Sequence, residues 1–376
     1  MTPTANGLVA ARRTLVRNSR KAKTLKTYCK GLKITEALVL EAYSMWGSGE
    51  AGRKNEWRVE RDYGPPDALC AEIAAQIETR SLSTPSIGYR TRREPNNGKV
   101  REIAVESVKQ QVMDYTAYLC LKPLIEAKMG YYQTASVKGK GQLFAKRHIA
   151  KWFGACRYWV KLDVRKCYPS ISRDVCMRIL RRYVRSDDVL YLCDYLLSTY
   201  RRGLNIGSFF ALEMANLVLS FAYHHIESLH AERRGEFHLL VAHQLWFMDD
   251  CLLLGNSKRD LKRAVRSLSA FMRGELGLEL KPWKVSRTSC EAMTMCGYTF
   301  RPGRVTVGEG TFLRAKRCFA RFYRKPIPKL ARRACSYNGW FCHSMCHSFM
   351  RKHGVYRAVG IARAVVSAAD RRTQCA

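Results

Sequence analysis

One stretch limits what this chain can fold into more than any other: QLWFMDDCLLLG, residues 244 to 255, an apolar run broken by two adjacent acids. Its flanks, Leu245 to Met248 and Cys251 to Leu254, are rich in residues suited to strands. Two carboxylates cannot be buried among them without a counter-charge. A hairpin resolves the conflict, because two buried strands then present Asp249 and Asp250 together at the turn. Like charges about 4 Å apart repel, and a divalent cation beside or between them removes the repulsion. A second acidic pair, Asp187 and Asp188 in RSDDVL, lies between a basic segment and a helical pattern. Those two read as acids at a helix N-terminus, where the macrodipole favours them, so an acidic pair alone does not make a site.

A third carboxylate comes from RYWVKLDVRKCYPSI, which begins at Arg157. Tyr158, Val160, Leu162 and Val164 alternate onto one face, leaving Trp159, Lys161 and Asp163 on the other. Asp163 is thus expected near the end of a buried strand and turned away from its apolar side. A lone aspartate there is usually a cap or turn former. Together with Asp249 and Asp250 it is what a two-metal centre requires.

Charge points to the partner. The formal net charge is +35, and 47% of the residues are hydrophobic, so the chain is a folded body with a polyanionic ligand. Residues 1–35 hold nine Lys and Arg with no acid, and residues 301–376 hold seventeen against only Glu309 and Asp370. Basic ends around a more balanced middle suit a catalytic body gripped to phosphate backbones. No apolar stretch reaches membrane-spanning length and the basic segments lack a sustained amphipathic face, so no membrane association is expected. The fifteen cysteines, with no signal-peptide pattern, read as reduced thiols of a cytoplasmic protein.

Along the chain, residues 8 to 45 read as basic helix and GSGEAGRKNE from Gly47 as a flexible connector. GYRTRREPNNGKVREIAVES reads as two strands turning at Pro95 to Gly98. The loop around Lys138 and Lys140, with Gly139 and Gly141, is a candidate phosphate contact. GLNIGSFFALEMANLVLSFAYHHIESL is a glycine turn running into a long buried helix in which Glu213 and Asn216 are the conspicuous polar members. SKRDLKRAVRSLSAFMRGELG is a capped amphipathic helix, and TMCGYTFRPGRVTVGEG a hairpin. The Cys and His residues of ACSYNGWFCHSMCHSFMRKH lack paired metal-ligand spacing and read as part of a helical segment.

These motifs, in this order, resemble the core of bacterial reverse transcriptases, including group II intron, diversity-generating retroelement and defence-associated enzymes. YWVKLDVRKCYPSI, GLNIGSFFALEMANLVLS, FMDD, LELKPWKVS and TMCGYTF match five successive motifs, and the resemblance covers about Tyr89 to Tyr337. It implies an α+β fold shaped as a right hand: fingers, a palm whose antiparallel sheet packs on helices, and a helical thumb. The expected divisions are a basic N-terminal helical extension at 1–60, fingers at 61–156, palm at 157–305 with part of the fingers inserted at 173–202, and thumb at 306–376.

The resemblance also implies roles. Two Mg²⁺ ions, for which Mn²⁺ can substitute, would be held by Asp163, Asp249, Asp250 and the carbonyl of Val164. Lys99 and Arg101 match the position that holds the incoming triphosphate. Tyr168 matches the steric gate that excludes a 2′-hydroxyl and so selects dNTPs. Ile206 and Gly207 line the nucleotide site. Lys284, with Lys281 as its neighbouring competitor, matches a lysine that protonates the leaving pyrophosphate, and Cys296, Gly297 and Tyr298 match a primer grip. The partners implied are an RNA template or structured non-coding RNA, the DNA product and dNTPs.

Departures from the family pattern suggest a divergent lineage, in an antiviral defence system or a retroelement. Ile206 resembles the low-fidelity diversity-generating enzymes, but Ala211 and Leu212 do not. A diversity-generating retroelement reverse transcriptase with relaxed fidelity, a maturase-like RNA-binding role with catalysis secondary, and untemplated or repetitive synthesis are the alternatives.

Overall fold

The computed structural model describes residues 26–93, 98 and 100–374. Lys99, residues 95–97 of the expected turn and the first 25 residues of the basic N-terminal segment lie outside the described residues. Three helices open the described chain: α1 (Glu36–Ser48), α2 (Glu50–Tyr63) and α3 (Pro66–Glu78). The connector expected from Gly47 is therefore helical, interrupted only at Gly49. Composition hid it, because only Gly52 and Val59 turn inward, seven residues apart, while the polar majority faces solvent. Val39, Tyr43, Trp46 and Val59 join the main core, so residues from Glu36 to Tyr63 pack as part of the body.

Strands β1 (Gly88–Arg93) and β2 (Val100–Val105) pair antiparallel. They are followed by α4 (Val108–Lys128), α5 (Gln142–Ala155), β3 (Tyr158–Asp163), the single turn α6 (Cys167–Ser170), α7 (Arg173–Tyr183), α8 (Asp187–Ser198) and α9 (Phe209–Ser228). Serines set several of these starts: Ser172, Ser186 and Ser208 each accept an otherwise unpaired N–H from the first turn of the helix that follows. A small hairpin, β4 (His230–Arg233) and β5 (Glu236–Leu239), leads into β6 (His243–Phe247) and β7 (Asp250–Gly255). Helix α10 (Lys258–Leu276) runs from a Ser257 cap to Gly277. Then come β8 (Ser286–Arg287), β9 (Met293–Met295), β10 (Tyr298–Arg301) and β11 (Arg304–Val307), and the helices α11 (Glu309–Arg324), α12 (Pro328–Cys342), α13 (His347–Lys352) and α14 (Val355–Gln374). The segment read as one hairpin is a three-stranded sheet in the order β11-β10-β9.

At the centre lies a four-stranded antiparallel sheet in the order β6-β7-β3-β8. Both of its faces are covered. Val160, Leu162, Cys251 and Leu253 join the core cluster that contains the buried residues of α9 and α10. Trp159, Leu245, Leu252 and Leu254 pack with Phe153 of α5 and with Met293 and Phe300 of the three-stranded sheet. The last four helices bury their own cluster around Phe319, Phe322 and Phe341.

This two-sided burial fixes the register. A one-residue slip of β3 would turn Lys161 and Asp163 into the helical core and Leu162 out of it, losing roughly 1.5–3 kcal/mol for each large apolar side chain displaced. Asp163 is thereby held opposite Asp250. Among the described residues no helix is long and apolar enough to cross a membrane.

Candidate active site

The β6–β7 hairpin pairs Phe247 with Asp250, so its two turn residues are Met248 and Asp249. This corrects the expectation that both acids sit in the turn: Asp250 is the first residue of β7. Met248 takes a φ of +54°, a left-handed conformation costly for a side-chain-bearing residue. The turn is tied to the end of β3, where the Val164 N–H donates to the Asp249 carbonyl at 3.3 Å. Asp163 is the register partner of Asp250 on the adjacent strand. Three carboxylates from two distant parts of the sequence thus meet at one end of the sheet, Asp163 and Asp250 on its Trp159 and Leu252 side.

They repel one another. Burial first, then the charge of Asp250 and, more weakly, of Asp163 push the Asp249 carboxyl above the ordinary aspartate range, against a smaller opposing pull from Arg101. One Asp163 oxygen, Oδ1, is buried with no hydrogen-bond partner. The other, Oδ2, accepts from Lys281 Nζ at 2.6 Å. Asp250 Oδ1 lies 3.0 Å from Lys161 Nζ. Among the described residues no three His, Cys, Asp or Glu side chains stand as a ready-made metal-binding group; the two ammonium groups occupy Asp163 and Asp250 instead. The site fits hard divalent cations all the same, offering carboxylate oxygens, one of them orphaned, and drawing positive charge from whatever is near.

The other candidate residues surround this point unequally. Tyr168, on α6, directs its hydroxyl toward Met248 Sδ at 3.9 Å, and burial pushes its ionisation well above the usual tyrosine range. Arg101, on β2 opposite Arg92, is close enough to oppose the upward shifts of both Tyr168 and Asp249. The Ile206 carbonyl accepts from the Ala104 N–H of β2 at 2.8 Å. Gly207 has a φ of +110°, and a Cβ there would meet the Ala104 carbonyl at 2.8 Å, so only glycine lets this loop lie under the β1–β2 hairpin.

Cys296 and Gly297 form the two-residue turn between β9 and β10, both with positive φ, and Tyr298 opens β10. Burial first, then the charge of Asp250 pushes the Cys296 thiol up to about 12, with Lys161 pulling back, which places the turn beside the carboxylates. A Cβ on Gly297 would strike the Trp340 ring at 2.3 Å.

Lys284 is not brought to the site. Its ammonium pairs with Glu291 at 2.8 Å on the surface, the side chain 74% exposed. The structure puts Lys281 there instead: residues 279–281 run beside the end of β3, with the Lys281 N–H donating to the Asp163 carbonyl at 2.9 Å. Lys140, read as a phosphate contact, folds back to donate to the Tyr131 carbonyl at 2.5 Å. Two site residues were missed. Lys161 could have been found, since alternation already put it on the Asp163 face. Glu213 is the other: buried in α9 near Tyr168, its carboxyl is pushed up by burial to about 7.

The chain has relatives that bear on this arrangement. A family model described as reverse transcriptase (RNA-dependent DNA polymerase) matches residues 92–300. Over 141 residues the chain is 22% identical to the putative COX1/OXI3 intron 1 protein of Saccharomyces cerevisiae, a match that takes in 35% of this chain. It spans only 17% of the length of that relative.

Proposed function

Because the chain belongs to the reverse transcriptase (RNA-dependent DNA polymerase) family, we propose that it extends a primer 3′-hydroxyl with deoxynucleotides on an RNA template at the Asp163, Asp249 and Asp250 end of its central sheet. The observation that carries this reading is the pairing of Asp163 with Asp250 beside a turn that holds Asp249. Asp163, Asp249, Asp250 and the backbone at Val164 would hold divalent cations, Mg²⁺ with Mn²⁺ as substitute. Bound there, the ions would supply activation of the hydroxyl and neutralisation of the leaving pyrophosphate.

The protein's own residues do the rest. Arg101 binds and orients the triphosphate from the β1–β2 hairpin. The Tyr168 ring stands against the sugar and excludes a 2′-hydroxyl. Lys281, rather than Lys284, holds the proton at Nζ that passes to the pyrophosphate, a general-acid role. The Cys296–Gly297 turn approaches the primer backbone. The β1–β2 hairpin with α3–α5 forms the fingers, joined by α7 and α8 and preceded by α1 and α2 as the N-terminal extension; the central and three-stranded sheets with α9 and α10 form the palm, and α11–α14 the basic thumb.

The test is dNTP incorporation on a primed RNA template with Mg²⁺. Activity is expected from the native chain and lost in Asp249→Asn and Asp250→Asn; equal activity in those variants would end the proposal. Tyr168→Ala should admit ribonucleotides. A second reading, an RNA-binding protein whose catalysis is secondary, is favoured by the similarity to an intron-encoded protein and by the +35 charge. It predicts tight, salt-sensitive RNA binding and an unchanged biological effect in Asp249→Asn. A setting in antiviral defence or in a retroelement is consistent with either.

A further inference from the structure

The side of α10 turned away from the sheet carries Lys258, Arg259, Lys262, Arg263 and Arg266, all exposed, and together they line one shallow groove. It continues past Trp283 and Lys284. Among the described residues none of these five cations has a carboxylate partner. The acids of the helix are engaged elsewhere, Asp260 with Arg233 and Glu275 with Arg178. Other surface helices match their charges, as Lys54 does with Glu50, Arg173 with Asp194 and Arg332 with Asp370.

The arrangement works against the helix that carries it. Lys258 and Lys262, Arg259 and Arg263, and Lys262 and Arg266 each set like charges one turn apart, which destabilises a helix. Lys258 and Arg259 also stand in the first turn, where the macrodipole repels cations. Packing does not demand it, because the inward positions are Leu261, Ala264, Val265, Leu268 and Met272. A polyanion on this face relieves all of these repulsions at once.

The face has the dimensions and chemistry of a phosphate-backbone contact. The nine residues from Lys258 to Arg266 span about 12 Å along the helix axis, long enough to reach several successive phosphates of a nucleic-acid backbone. The cations form two rows, Lys258, Lys262 and Arg266 beside Arg259 and Arg263, and three of the five are arginines able to fork onto phosphate oxygens. None of the exposed large apolar residues lies on α10, whereas the centre of a protein interface is depleted of charge and rich in aromatic residues. Along α10 the sheet stands between the groove and the carboxylates of Asp163 and Asp250. Helix α10 packs on the face of the sheet that holds Leu162 and Cys251, and Asp163 and Asp250 face the opposite way. A primer–template at the carboxylates cannot reach α10 through the sheet.

We propose that the outer face of α10 docks the phosphate backbone of a folded RNA, held apart from the primer and template. The assignment does not rest on polymerisation at the aspartates. It is tested in the full chain with Lys262→Gln, Arg263→Gln and Arg266→Gln combined, using an RNA hairpin of about 40 nucleotides and a saturating short primer–template to fill the cleft. The expected result is at least about tenfold weaker hairpin binding, and a salt dependence shallower by about two to three in log–log slope. Incorporation on the short primer–template stays unchanged, and the melting temperature is equal or higher because like charges have been removed. Unchanged affinity and slope would overturn the proposal. So would displacement of the hairpin by polyglutamate at matched charge, which would make this a surface for an acidic protein. A chain that fails to incorporate dNTPs, yet loses the hairpin when the three residues change, would sink the polymerase reading and leave this one standing.

Discussion

Two pairs of adjacent aspartates in this chain have opposite fates. Asp188 is buried at the start of α8, and it accepts from Arg80 at 2.7 Å and from the Ile34 N–H at 3.3 Å, with Lys33 at 3.6 Å. Asp187 begins the same helix under its Ser186 cap. The buried charge there has partners supplied by the fold, and Asp187 is exposed to solvent. At Asp249 and Asp250 the fold adds a third carboxylate and leaves one buried oxygen of Asp163 with no partner. Asp188 of the first pair fastens α8 to the segment before α1; the second pair is a deficit of positive charge that folding alone leaves open. What separates structure from chemistry is whether the surroundings complete the electrostatics, not the identity of the residues.

The largest effect that sharpens this contrast is Asp249→Asn. Incorporation should fall by at least about 10³-fold, as expected when a metal-binding carboxylate is removed. Stability should move the other way. The Asp249 carboxyl is raised in the folded state, so its cost is absent below the ordinary value of 3.8 and present once pH exceeds the folded value. Removing the charge should raise the melting temperature slightly at neutral pH. A variant that is both inactive and less stable would break the comparison.

Next is Lys281→Ala, expected to lower the single-turnover rate by about 10²-fold as for a lost general acid. Lys284→Ala should leave that rate within about twofold and cost well under about 1 kcal/mol, as its pairing with Glu291 is exposed.

Asp188→Ala should show the reverse pattern: a loss of about 2 kcal/mol on chemical denaturation, from charged hydrogen bonds removed at a buried position, and an unchanged rate per folded molecule. The smallest effect concerns a third acidic pair, Glu106 and Asp114, buried beside the start of α9, where Asp114 accepts from Ser208 at 2.7 Å and from the Phe210 N–H at 3.0 Å. Burial first, then the Asp114 charge raises Glu106, so the folded state retains a proton that the unfolded chain releases above 4.5. Stability should fall as pH rises from that value through the raised folded one, and Glu106→Gln should flatten the slope in thermal scans.

Much of this was legible from residues alone, for identifiable reasons. The face of Asp163 followed from strict alternation along β3, which a buried strand cannot disguise. The position of Asp250 missed by one, because a turn residue with positive φ is expected to be glycine and here it is Met248. The lysine could not be settled because residues 277–285 form no regular element, and no periodicity says which side chain an irregular segment turns inward. Helix α2 escaped notice because a single buried residue every two turns leaves too faint a pattern. The family match spans residues 92–300, a range that contains all five motifs.

Gly297 leaves room for the Trp340 ring where any other residue would place a side chain, so an indole from α12 is seated in the β9–β10 turn like a ball in a socket. The C-terminal helices therefore cannot rock against the sheet without unseating that ring. Tilting of the helical end and displacement of the turn beside the carboxylates are one mechanical event, and a bulkier residue at 297 would uncouple them.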